Sequence, residues 1–164
     1  MNEAHWHLML NHLPIEGMIA GAVVLAVGYV FGNNTTVKRT GVGIVFISSL
    51  LAIPAYLSGE GAEEIAERLP GVTEQLIEHH EELAKTFLIF SLILGFISLL
   101  SILAEWKKHN FSSYLYMIVL VLTIGASLLS RRVATSGGEI RHTEIREGTT
   151  QNTATDETEE EDND

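Results

Sequence analysis

His7-x-x-x-x-His12-x-Pro14 at the start of the chain and His79-His80 midway along it supply the side chain best suited to holding a transition metal. Neutral imidazole pairs suit haem iron, copper or zinc. The chain has no cysteine, which excludes disulfides, thiolate metal sites and covalent haem attachment, so a bound metal must use nitrogen or oxygen ligands. The candidate ligands are His7, His12, His80 and His142, with His12 and His80 as the expected pair for a metal ion. Glu16, Glu60, Glu81 and Glu139 are the carboxylates expected to orient the rings. No residue is assigned a catalytic role, and H-E-x-x-H is absent, so an intramembrane hydrolase ranks last among the readings.

Each of these residues also has a plainer explanation. Histidines near a membrane interface are tolerated because a neutral ring has an apolar body and a polar tip. On an ideal helix a spacing of five puts His7 and His12 about 140° apart, so either the helix is broken there or only one ring faces inward. Helix capping and a solvated acidic face account for Glu63 and Glu64 in Ser58-Gly59-Glu60-Gly61-Ala62-Glu63-Glu64. Gly137-Gly138-Glu139 is expected to end a helix and fold Glu139, Arg141 and His142 back over the rim.

The elements that must position these groups are read from apolar blocks in a chain of 164 residues that is 46% hydrophobic. Blocks at about 14–31, 41–57, 86–103 and 114–130 each run roughly 16–18 residues, about 25 Å as helix, close to the thickness of a bilayer core. Helix is the conformation that satisfies every backbone polar group within such a segment. The expected fold is an all-α membrane protein, a four-helix up-and-down bundle over residues 1–145 with an acidic helical connection between spans two and three. That connection should break at Pro70-Gly71. From Thr73 onward, Leu76, Ile77, Leu83 and Phe87 form one face, which places His80 inward and His79 toward water.

The formal charge of −11 is unevenly spread, because Asp156, Glu157, Glu159, Glu160, Glu161, Asp162 and Asp164 crowd a tail without a base. Residues 146–164 are expected to be disordered. No basic groove for nucleic acid is present. The leader carries Glu3 but no Lys or Arg and no A-x-A-like cleavage site, so the first span is expected to stay in the protein and not be removed as a signal peptide. The basic loops around Lys38-Arg39 and Lys107-Lys108 place both termini outside the cytoplasm of an inner (plasma) membrane, against the opposing vote of Arg131, Arg132, Arg141 and Arg146. Six histidines then share one face, and His109 lies on the other.

Residues 86–103 and 113–130 contain no Asp, Glu, Lys, Arg or His. Pumps and coupled transporters need ionisable groups at depth, so those functions are disfavoured, as is a pair of haems stacked across the membrane.

His7-x-x-x-x-His12-x-Pro14, Gly59 after span two, His80 before span three and Gly137-Gly138-Glu139 after span four together resemble a family of small four-span membrane proteins of unknown function. Some members of that family are encoded with c-type cytochromes. The resemblance covers about residues 5–145; the chain departs from the pattern in lacking a proline after His7 and in having Leu13 where an aromatic is usual. It implies a module that binds haem b or a divalent metal (zinc or copper) through His7, His12, His80 and His142 in an electron-transfer setting. A c-type cytochrome or respiratory complex is the implied partner. The competing expectation is a structural or assembly subunit without cofactor; neither reading makes the chain an enzyme by itself.

Overall fold

The computed structural model describes residues 2–146, and all regular structure in them is helical. The acidic tail lies outside the described residues, apart from Arg146 at its start. In chain order the helices are α1 (Glu3–Leu10), α2 (His12–Val30), α3 (Thr35–Leu57), α4 (Gly59–Ala66), α5 (Glu74–Trp106) and α6 (Ser112–Arg141), followed by a short 3-10 turn at Thr143–Ile145. Four stretches are long and apolar enough to cross a membrane: α1 with α2, α3 with α4, α5, and α6.

Local chemistry sets the helix ends. Asn2 opens α1 by accepting from the His5 amide, and Asn34 opens α3 by accepting from the amides of Thr36 and Val37. Between α2 and α3 the chain reverses through Gly32 and Asn33, at φ 78° and 52°, a left-handed conformation that glycine and asparagine adopt most readily. Gly71, at φ 78°, makes the expected break after α4. Contrary to expectation, Gly137-Gly138 does not end a helix: α6 continues through both to Arg141. Its intrahelical hydrogen bonds persist there, and the missing side chain at Gly137 serves packing instead, as described below.

α2 packs on α3, α3 on α5, α5 on α6, and α6 on α2, closing a ring of four long helices. The α2–α3 contact is close because glycine removes the spacer between backbones. A Cβ on Gly21 would lie 2.6 Å from a Val45 methyl, and one on Gly28 would lie 2.8 Å from the Lys38 nitrogen. As residue numbers rise on α2 they fall on α3, so these two helices run antiparallel.

The interior is lined by small and hydroxylated residues around Leu25, Val42, Val45, Leu94 and Val119. Ser48, Ser49, Ser91 and Thr123 donate to the carbonyl four residues back on their own helix, which satisfies the hydroxyl without a partner across the bundle. Large apolar side chains face outward instead, among them Val30, Phe96, Val121 and Leu128. That arrangement inverts the pattern of a water-soluble core.

Candidate functional site

His7 and His80 meet at one end of the bundle, their ring centres 6.5 Å apart and their planes at 87°. Both precede the apolar spans of their helices. The His7 Nδ1 lies 3.0 Å from the Ser58 hydroxyl, at the junction of α3 and α4. The His80 Nδ1 lies 2.9 Å from the Ser136 hydroxyl, near the end of α6. Each serine is in turn bonded to the carbonyl three residues back, Ser58 to Ala55 at 2.8 Å and Ser136 to Val133 at 3.0 Å.

Gly137 leaves room for the second ring, since a Cβ there would lie 2.9 Å from the His80 Cε1. Gly59 lies beside the first, with the corresponding distance 3.8 Å from the His7 Cε1. Burial holds the His7 pKa below its ordinary value, partly offset by a hydrogen bond to the Ala55 backbone. Burial also lowers that of His80, with further lowering from the neighbouring His7 and His79. Both rings are therefore kept neutral near pH 7, the form in which imidazole binds metals.

The pair expected from sequence needs correction. His12 is exposed on α2 and takes no part in the ring pair; the helix breaks at Asn11, and His7 alone turns inward. His142 is also exposed and pairs with Glu144 at 2.9 Å, so Gly137-Gly138 does not carry it to the other rings. The carboxylates differ from expectation as well. Glu16, Glu60 and Glu81 are exposed, and Glu139 accepts from the Arg146 Nε through its backbone oxygen. Ser58 and Ser136 hold the rings instead. The available signal was the dipeptide Ser-Gly, which follows spans two and four as Ser58-Gly59 and Ser136-Gly137.

Among the described residues, no group of three or more His, Asp or Glu side chains could hold a metal ion. Two imidazoles suffice where the metal brings its other ligands or needs only two. Four-coordinate structural zinc is the poorest fit among the expected cofactors, because it usually takes all its ligands from protein side chains.

An acidic cleft of about 380 Å³ lies beside the site, lined by Glu3, Trp6, Ser58, Glu60 and Glu64 among others. Nearby, the Glu63 carboxyl is held above its ordinary pKa by partial burial first, then by Glu81, Glu67 and Glu60.

At the far end of the bundle Lys38, expected in a basic loop, is buried. Its Nζ donates to the Asn33 Oδ1 at 2.8 Å and stands 4.7 Å from the Tyr29 ring centre. His109 is at this end too, stacked on Phe111 with ring centres 5.1 Å apart.

No family model matches this chain, and no curated protein or solved structure matches it either.

Proposed function

We propose that this chain is a multi-pass integral membrane protein, a four-span up-and-down bundle, that binds a metal-centred cofactor at one rim in an electron-transfer setting. The observation that carries the cofactor reading is the pair of neutral, half-buried imidazoles of His7 and His80, drawn from opposite halves of the chain. Supporting membrane insertion is the outward display of leucine, valine, isoleucine and phenylalanine over an interior of small residues, which lipid rewards and water does not. Antiparallel packing of α2 on α3, and of α5 on α6 where Phe90 meets Gly125 and His80 meets Ser136, supports the up-and-down path. Such a path returns both termini to one side, the outer side of an inner (plasma) membrane by the loop-charge argument. A c-type cytochrome or respiratory complex is the partner class that this reading implies.

A second reading is favoured by one specific observation. The bonds from His7 to Ser58 and from His80 to Ser136 also staple α1 to the end of α3 and α5 to α6, so the same residues serve a structural subunit with no cofactor. Purification in detergent, followed by visible spectroscopy and metal analysis with and without added haem or copper, separates the two. The cofactor reading expects bound haem or copper in the wild type and its loss in His7→Ala and His80→Ala, with His12→Ala unaffected. A folded wild type that stays colourless and metal-free after reconstitution overturns it in favour of the structural reading.

A further inference from the structure

Charge divides the bundle end from end. Lys38, Arg39, Lys107 and Lys108 stand at the end away from the histidines, against one carboxylate, Glu105. Among the described residues the histidine end carries twelve carboxylates and six bases. The basic end is a single surface, because all four long helices meet there. The Arg39 Nη1 lies 3.6 Å from the Glu105 Oε2, joining the start of α3 to the end of α5. The Tyr29 hydroxyl donates to the Ser113 carbonyl at 3.1 Å, joining the end of α2 to the start of α6.

Helix chemistry explains only half of these bases. Cations near a helix C-terminus offset its dipole, which accounts for Lys107 and Lys108 after α5. Lys38 and Arg39 lie in the opening turns of α3, where the same dipole repels them. Lys108 also takes φ 58°, at the turn position that glycine usually fills. Its amide donates to the Glu105 oxygen at 2.8 Å, and the His109 amide donates to the Ala104 oxygen at 2.9 Å. The other described residues with a left-handed φ are Gly32, Asn33 and Gly71, so Lys108 alone puts a charge there. Glu105 is engaged by Arg39, which leaves Lys107 and Lys108 exposed and without an ion pair among the described residues.

Around these bases Phe31, Trp106, Phe111 and Tyr114 are each half or more exposed, whereas the histidine end exposes one such ring, Trp6, among the described residues. Tryptophan and tyrosine favour the headgroup level of a bilayer. Toward the middle of the bundle the surface continues as outward apolar side chains, Val27 and Leu103 among them. A phosphate at the level of the cations therefore has an apolar flank directly beneath it for an acyl chain. Clustered bases beside spanning helices attract anionic lipid headgroups.

We infer that this end is a binding surface for anionic phospholipids, with Lys107, Lys108 and Arg39 meeting the phosphates and Trp106 and Tyr114 seated at headgroup level. This rests on the membrane reading above, is independent of any cofactor, and names the lipid class that the basic end selects. Free inorganic phosphate shares the headgroup chemistry; the apolar flank assigns the surface to lipid.

The chain's two tryptophans sit at opposite ends, so each end has its own reporter. Trp6→Phe leaves Trp106 at the basic end, and Trp106→Phe leaves Trp6 at the other. Each protein is reconstituted into phosphatidylcholine vesicles containing phosphatidylglycerol, with bromine on the acyl chains of one lipid or the other. Quenching of tryptophan fluorescence then gives the relative affinity of the two lipids at that end. At Trp106 phosphatidylglycerol should be preferred about fivefold or more, the weight of one base near an anionic surface. At Trp6 there should be no preference. The Lys107→Gln, Lys108→Gln double variant should bring the ratio at Trp106 close to one, and Glu105→Gln, which frees Arg39, should raise it.

Equal quenching by the two lipids at Trp106, an equal preference at Trp6, or a preference that survives the double variant overturns the inference while leaving insertion in the bilayer standing. No quenching by either lipid at either tryptophan overturns the membrane reading with it. Protein in uncharged detergent separates the two sources of phosphate. Phosphatidylglycerol added to the micelles should raise the unfolding midpoint, and inorganic phosphate at the same concentration should not; equal shifts overturn the assignment to lipid. Helical circular dichroism and a single elution peak establish that each variant folds.

Discussion

Gly41 lies directly against the backbone of Leu25: a Cβ added at Gly41 would stand 2.6 Å from the Leu25 nitrogen and 2.8 Å from its Cα. Backbone cannot rotate away as a side-chain tip can, so α2 and α3 would have to separate. Gly41→Ala should therefore destabilise the protein by about 1–3 kcal/mol, the usual cost of overpacking a filled interior. Gly43, two residues on, has open space around its Cβ position and is the matched control. Thermal unfolding in detergent should show a lowered midpoint for Gly41→Ala and none for Gly43→Ala; equal midpoints would remove the close-contact account of this helix pair.

The neutral histidine pair gives the metal-free protein a pH dependence whose sign follows from the lowered pKa values of His7 and His80. Unfolded histidine titrates at its ordinary value of 6.5 and folded His7 and His80 titrate lower, so below pH 6.5 the unfolded chain binds more protons. This contribution to stability is fully present above pH 6.5 and is lost as pH falls through the folded values. Unfolding midpoints measured from pH 8 to pH 5 should fall on the acid side, and the slope should flatten in the His7→Gln, His80→Gln double variant. A slope unchanged in that variant assigns the acid sensitivity to other groups.

Lys38 is held through its stem as well as its charge. The stem packs on Gly28 while the ammonium meets Asn33 and the face of Tyr29. Lys38→Met keeps most of the packing and should cost about 1 kcal/mol, the scale of a cation–π contact. Lys38→Ala also empties the space and should cost about 2–3 kcal/mol, at the lower end of large-to-small core changes. Chemical denaturation distinguishes them, and equal losses would mean that charge alone matters here.

Arg146 closes the last turn of α6. Its Nε donates to the Glu139 oxygen at 2.7 Å, and its two terminal nitrogens donate to Ile140 at 3.1 Å and to Gly71 at 2.8 Å. Arg146→Ala should leave those carbonyls to solvent and speed amide exchange over 138–145 and around 70–72. The centre of α6 should be unaffected. Exchange unchanged at both places would mean that these three bonds add nothing to local order.

Much of this architecture was legible in residue order alone. Four apolar blocks gave four long helices, Pro70-Gly71 gave the break before α5, and the periodicity from Leu76 to Phe87 turned His80 inward and His79 outward. These are properties of single segments, decided by the period of the helix and the φ that glycine permits. Which second histidine joins His80 was not legible, because the helix break at Asn11 reorients His7 relative to His12 and the spacing of five is silent on the outcome. The serines were missed for a related reason: a hydroxyl reads as a small helix residue until a ring from 51 or 56 positions away is laid against it. Lys38 looked like a loop base, and only the approach of α2 to α3 at Gly28 buries it. Sequence by itself determined the helices and the inward face of α5. Tertiary packing alone decided the partners of each imidazole, because contacts between distant segments depend on how closely helices approach, a distance set jointly by residues on both.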